Sequence, residues 1–488
     1  MKKASINLVP DVVNPTPDYY CTWQTQLYAT SDGKSGGQRK AMCENSLFNP
    51  EKPYGWAYFY EDAKRDLFIV MDDSWDVPYD NNEAYHGSLI LCREKFPSFV
   101  TDTDSGLKAL TDKIKSLGWK GLGGWVCPQE SSVYSEGKTV EEYWLERIKA
   151  AGEAGLSYWK VDWGTHDKSL EFRKMLTDVA REHAPCLCVE HSIINDAIPH
   201  GDTFRTYDVP ALLSIPMTIE KLCNFCDAPA PIGENLGLIN CEDEAYMAAA
   251  GGYAMGIMRH PYRGEFPDGR ADMSFPAVHR DLKTKIAEVT RAARYHRIAP
   301  AFGGGTFVMS DEFLTDTWNF EKPEEEIEAW WSMNGVINEG LRSGTVRFSA
   351  RAAFARNTDL PVVKALENGE KAFCIASLNP VGVYSVATLG RTIGRYYGIP
   401  RCDVTVKTGD ADTVGVFGEY NTLTLETDRK FEKVLLQDLA GDCAYDITED
   451  VTVEKGKLTI PGEIISAICK ENLPEGDTSE PGAVIRLG

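Results

Sequence analysis

The chain has 488 residues, too long for one ordinary core, so two or three domains are expected, one of them large enough to be a barrel. Its formal net charge of −22, with no run of Lys or Arg, excludes nucleic acid and an acidic partner surface and favours a neutral substrate. Hydrophobic residues at 43% supply the core, and an aromatic share of 10%, with 11 Trp and 21 Tyr, leaves rings over for binding surfaces.

The opening MKKASINLVP carries two lysines but no apolar stretch of secretory length before Pro10, and no later segment approaches membrane-spanning length. A soluble, cytoplasmic protein is expected, with no membrane partner. The 13 cysteines are scattered, odd in number and mostly inside apolar runs such as Cys186-Leu187-Cys188, as free buried thiols are. Cys223 and Cys226 have C-x-x-C spacing, yet no second Cys or His pair stands at a matching distance, so neither a metal nor another cofactor is expected.

From about residue 20 to residue 260, short apolar or aromatic runs alternate with longer amphipathic stretches, the pattern of repeated βα units around a parallel sheet. The predicted strands are Tyr20–Thr25, Leu67–Asp72, Gly121–Val126, Tyr158–Asp162, Cys186–Glu190, Phe204–Asp208, Leu236–Asn240 and Tyr253–Met258. Eight such strands close a (β/α)8 barrel, and the intervening Ser105–Leu117 and Thr139–Ala154 have helical periodicity with Gly at their ends. An alternative last strand is Gly304–Met309, preceded by a helix over Asp281–Arg297. After another amphipathic helix, Glu324–Gly340, the pattern turns to short alternating segments. These are Lys371–Ser377, Val404–Val406, Thr413–Phe417, Thr422–Thr427, Lys433–Asp438, Lys457–Ile460 and Ile464–Cys469, which together suggest an antiparallel β-sandwich. The division expected is a catalytic barrel with an N-terminal extension and trailing helices over 1–345 and a sandwich over 346–488. There is no fixed-period repeat.

Barrels of this kind assemble their sites at the carboxyl ends of the strands, and here those ends are unusually polar. They read Asp72-Asp73-Ser74-Trp75, Trp125, Lys160-Val161-Asp162-Trp163, Glu190-His191 and Arg205-Thr206-Tyr207-Asp208. Carboxylates converging from four strand ends repel one another and are costly for stability alone, but glycoside hydrolysis needs a carboxylate and a carboxylic acid flanking the scissile bond. Lys160 stands two residues before Asp162, so both side chains leave the same face of the strand, and the ammonium would keep Asp162 ionised as a nucleophile must be. A plain structural ion pair is the alternative there, and an N-cap is the alternative for Asp208. The paired acids Asp72 and Asp73 beside Trp75 make a grip for sugar hydroxyls and an apolar sugar face, or else a turn with a buried Trp.

Taken in order, Trp23, DDSW, GLGGWV, YWKVDWG, CVEHS and FRTYD resemble the melibiase-like α-galactosidases, glycoside hydrolase families 27 and 36. The resemblance runs strand by strand over roughly residues 20 to 260 and is strongest at YWKVDWG; KVLLQDLAGDCAYDIT and GKLTIPGEIISAI are similar to the C-terminal sandwich of that group. It implies Asp162 as nucleophile and Asp208 as general acid/base of a retaining, exo-acting α-galactosidase. Asp72 and Asp73 would hold the hydroxyls at ring positions 4 and 6, Lys160 neighbouring hydroxyls, and Glu190 and Arg205 the 2-hydroxyl region, with Trp23 and Trp125 as walls. Two features depart from the family pattern. Two residues rather than three separate Arg205 from Asp208, and Trp163-Gly164 replaces an Asn-Cys after the nucleophile, which changes the pocket wall.

Other sugars suit the same carboxylate pair: α-N-acetylgalactosaminide, β-L-arabinopyranoside or an α-glucan, with transglycosylation as a further outcome. Glu190 near position 2 suits a hydroxyl better than an acetamido group. Readings of other kinds are an inactive carbohydrate-binding barrel and a metal-dependent hydrolase using Asp162, His166, Glu190 and His191. The loop HPYRGEFPDGRADM at 260–273, with His260, Arg263 and Arg270, either shapes the leaving-group subsite or is a solvated excursion, and homo-oligomerisation is left open.

Overall fold

The computed structural model describes residues 2–30, 37–101, 105–206, 213–226, 228, 236–262, 284–319, 342–367 and 369–488. Eight parallel strands close a barrel: β1 Tyr19–Cys21, β2 Phe68–Met71, β3 Gly121–Val126, β4 Tyr158–Val161, β5 Cys188–His191, β6 Thr203–Arg205, β7 Leu238–Glu242 and β8 Ala254–Ile257. Closure is made by β8 pairing with β1, Tyr19 opposite Gly256 and Tyr20 opposite Ile257. The alternative last strand is therefore not part of the barrel. Phe307–Met309 pairs instead with Ala353–Arg356 in a separate sheet. The first strand is shorter than expected, because a helix, α1, begins at Trp23 and runs to Thr30.

The sequence dictates the helices between the strands through caps and apolar stripes. In α2, Val140–Glu153, the Thr139 hydroxyl accepts from the Glu142 amide while the Glu142 carboxylate accepts from the Thr139 amide, a reciprocal capping box. The Ser169 hydroxyl likewise accepts from the Phe172 amide at the start of α3, Leu170–His183. In β3 the glycines make room for their neighbours. A Cβ on Gly123 would stand 2.8 Å from the Tyr158 side chain, and one on Gly124 would stand 3.1 Å from the Trp75 indole.

Beyond the barrel lie a nine-stranded sheet and a five-stranded sheet whose inner faces share one core, among them Val404, Leu423, Val416 and Ile485. The nine-stranded sheet takes in Lys2–Lys3 at one edge and Phe307–Met309 at the other. Most pairings are antiparallel, as expected of a sandwich. Three are parallel: Ala353–Arg356 with Phe373–Leu378, Tyr384–Leu389 with Thr413–Phe417, and Cys402–Gly409 with Thr422–Thr427. One expected strand is a helix instead. Gly462–Lys470 buries Ile465, Ile468 and Cys469, a spacing of three to four residues that is helical rather than alternating. The expected helix at Glu324–Gly340 lies outside the described residues.

Barrel and sheets are joined by buried polar contacts. Arg291 on the helix Ile286–Tyr295 places Nε 2.7 Å and Nη2 3.1 Å from the two oxygens of Asp438 and donates to the Cys469 carbonyl. Ser377 and Ser385 both donate to the carbonyl of Ala250 at the end of a barrel helix. Among the described residues no helix is long and apolar enough to cross a membrane.

Candidate active site

Side chains alternate along a strand, so residues of one parity on each barrel strand point inward. Tyr19, Cys21, Phe68, Val70 and Tyr158 fill the lower interior. Toward the carboxyl ends, polar and aromatic side chains line a cavity that opens to solvent. Its walls are Trp23, Asp72, Asp73, Trp125, Lys160, Asp162, Trp163, Arg205, Glu242 and Met258.

The carboxylate of Asp162, just past the end of β4, is held at both oxygens. Trp125 Nε1 donates to Oδ2 across 2.9 Å, and Arg205 Nη2 lies 2.8 Å from Oδ1. Lys160 is not its ion-pair partner. The Lys160 ammonium sits 2.7 Å from Asp72 Oδ2, which also accepts from the Cys21 thiol at 2.8 Å. Both side chains do leave one face of β4, but the barrel is narrow enough for the longer lysine to reach the end of β2. Burial disfavours the ammonium, yet the Asp72 carboxylate, with Cys21 and Asp162 behind it, holds Lys160 above the usual lysine range.

Asp73 receives Arg39 Nε at 2.9 Å and the Ser74 hydroxyl at 2.7 Å. Burial still pushes its carboxyl above the usual range, against the pull of Arg39. The Arg39 guanidinium also covers the Trp163 ring at 5.6 Å, and Trp163 in turn leans on Trp125 at 5.4 Å and on His86 at 5.5 Å. His86 is pushed down to about 4 by burial and then by the Arg39 and Lys95 charges, so it is a neutral imidazole near pH 7.

Among the described residues, Arg205, at the end of β6, lies against three carboxylates: Asp162 at Nη2, Glu190 at Nη1, 3.2 Å away, and Glu242 at Nε, 3.3 Å away. Burial opposes its charge, but these acids hold it well above the usual range. Glu190 does not reach the cavity wall. It lies one layer below, fully buried, accepting from Tyr158 Oη at 2.7 Å and from Tyr19 Oη at 3.3 Å, and burial raises its carboxyl. From there it touches Arg205.

Trp75 also stays out of the cavity. It is 1% exposed, its Nε1 donates to the Trp125 carbonyl at 2.9 Å, and its ring lies on Gly124. The turn after Asp73 aims it into the shell around the barrel, where an indole buries more apolar surface. Trp23, Asp72, Asp73, Trp125, Lys160, Asp162, Trp163 and Arg205 are brought together as expected. Asp208 lies outside the described residues, as does most of the loop from 263 onward.

The sequence reading missed Glu242, Arg39 and Met258. Glu242 has a signal, since Cys241-Glu242-Asp243 repeats the apolar-run-then-acids pattern of Met71-Asp72-Asp73, but the expected strand stops at Asn240 and the observed one continues to Glu242. Arg39 had none, because it stands on a five-residue helix, Gly37–Ala41, with nothing local to tie it to Asp73. The four residues of the metal reading are not gathered. His166 faces Glu130 at 3.0 Å, and His191 lies between Arg173 at 3.2 Å and Thr177 at 2.7 Å.

The fold and site together describe a barrel with an acidic, aromatic-walled pocket at the carboxyl end of its strands. No protein-family model matches the sequence, and no curated protein does. Solved structures similar to the chain include a GH27 β-L-arabinopyranosidase from Geobacillus stearothermophilus, at 14% identity over 62% of this chain and 80% of that one, TM-score 0.37. A GH36 α-galactosidase from the same organism is 14% identical over 61% and 44%, TM-score 0.35. A proposed α-N-acetylgalactosaminidase from Bacillus halodurans C-125 is 12% identical over 99% of each chain, TM-score 0.37. Identities and scores this low assign no substrate.

Proposed function

We propose that the protein is a retaining, exo-acting α-glycosidase, most nearly an α-galactosidase, with Asp162 as nucleophile and Asp208 as general acid/base. The observation that carries the reading is the setting of Asp162. It faces the polar, aromatic-walled pocket, with an indole N–H on one of its oxygens and a guanidinium beside the other. In the first step Asp162 attacks the anomeric carbon while Asp208 gives its proton to the leaving oxygen. A water deprotonated by Asp208 then releases the sugar with its original configuration.

Asp72 and Asp73, each carrying a cation partner, accept from ring hydroxyls, and Trp23, Trp125 and Trp163 cover the apolar face. Glu190, below the wall, acts on the sugar through Arg205 rather than by contact. Other sugars of similar shape, including α-N-acetylgalactosaminides, β-L-arabinopyranosides and α-glucans, compete for the same pocket. Transglycosylation uses the same first step.

The test is Asp162→Asn against a panel of nitrophenyl glycosides. Turnover of one glycoside by the wild type, lowered on the order of 10³-fold or more in the variant, is expected. Equal turnover would remove Asp162 from the chemistry, and binding of sugars without turnover of any glycoside would favour a carbohydrate-binding barrel.

A further inference from the structure

Of the carboxylates on the cavity wall, Glu242 at the end of β7 has no part in the reaction scheme above. Its Oε1 lies 3.3 Å from Arg205 Nε, while Asp162 Oδ1 lies 2.8 Å from Nη2 of the same guanidinium. Nε and Nη2 form one edge of that planar group, so the two carboxylates stand side by side on it. Glu190 takes the remaining nitrogen from below. We propose that Glu242 is a positioning residue: by lying against Nε of Arg205 it draws on the positive charge that Asp162 and Glu190 also contact, and so sets how completely the charge on Asp162 is neutralised.

The inference rests on reading Asp162 as the nucleophile. A carboxylate paired with a whole guanidinium is reliably ionised but poor at attack, because its electron pair is already engaged. Sharing the guanidinium with Glu242 and Glu190 loosens that hold and keeps Asp162 reactive. The other charged or titratable groups facing the cluster, among the described residues, come from every neighbouring strand. Tyr19 and Cys21 lie on β1, Asp72 and Asp73 follow β2, and Tyr158 and Lys160 lie on β4. Lys160 is paired with Asp72, and Asp73 with Arg39. Arg205 is thus the cation that Asp162, Glu190 and Glu242 have in common.

Trp125 supplies a reporter that does not depend on turnover, because its indole N–H donates to Asp162. The experiment follows the ¹⁵N indole resonance of Trp125, assigned with Trp125→Phe, through a pH titration of the wild type, Glu242→Gln and Glu242→Asp. Glutamine keeps the length and shape of the side chain beside Nε but gives up the charge. The expected result is a Trp125 midpoint at lower pH in Glu242→Gln, where one negative charge beside Asp162 is gone and Glu190 alone of the two other acids remains on the guanidinium, with Glu242→Asp close to the wild type. The acid limb of kcat/KM should move with it and kcat should fall. Indistinguishable Trp125 titrations in all three proteins would overturn the proposal. A shifted midpoint in a protein that hydrolyses no glycoside would uphold the role of Glu242 and reject the glycosidase reading.

Discussion

Lys160 Nζ lies 2.7 Å from Asp72 Oδ2, so the lysine two residues before the candidate nucleophile is committed to a different strand end. Both groups are almost wholly buried, with side chains 2% and 3% exposed, and a buried carboxylate left without its cation is strongly destabilising. Lys160→Met should therefore cost about 3–5 kcal/mol of stability. Adding Asp72→Asn should recover much of the loss. Thermal unfolding of the two single variants and the double variant gives the coupling, and additive losses would mean that the pair does not interact.

Two tryptophans that look alike in the sequence should behave oppositely. Trp125 spends its N–H on Asp162, whereas Trp75 spends its N–H on the Trp125 carbonyl. Trp125→Phe should lower kcat/KM on the order of tenfold to a hundredfold with little change in stability. Trp75→Phe should cost about 1–3 kcal/mol by stranding a buried carbonyl, with kcat nearly unchanged. Unfolding midpoints and kinetics of both variants separate the roles.

Asp76 carries a pH signature. It is buried, its Oδ2 accepts from the Ser88 hydroxyl at 3.2 Å and the Leu89 amide at 2.9 Å, and burial pushes its carboxyl up to about 7. The folded state then binds a proton that the unfolded chain releases near pH 4. The stability this contributes is fully present below about pH 4 and is lost as the pH rises through about 7. Asp76→Asn removes the titration. Wild type and variant should differ in stability by a pH-dependent amount, the variant gaining by up to about 4 kcal/mol at pH 8 relative to pH 4, read from urea unfolding at each pH. A constant difference across that range would show that Asp76 does not titrate there.

The contact between Arg291 and Asp438 ties the barrel to the nine-stranded sheet, with both side chains at or below 1% exposure. Arg291→Leu strands the Asp438 carboxylate and should cost about 3–5 kcal/mol. Asp438→Asn in the same chain should relieve part of it. Calorimetry of the single and double variants measures this, and an unchanged midpoint in Arg291→Leu would deny the contact any structural role.

By itself the sequence determined the barrel and the strand that bears Asp162. Parallel strands flanked by amphipathic helices leave a period that any window of a dozen residues displays, and β3 and most sandwich strands fall where the alternation puts them. It does not separate the helical spacing of Ile464–Cys469 from the strand alternation around it, and its seventh strand stops short of Glu242. The partners of each charge were decided by tertiary structure alone. Lys160 and Asp162 are neighbours in the chain, but closure of the barrel sets Asp72 beside the lysine and Arg205 beside the aspartate. Those contacts span 88 residues in one case and join strands β4 and β6 in the other, and no local pattern encodes a distance that exists only once eight strands have closed on one another.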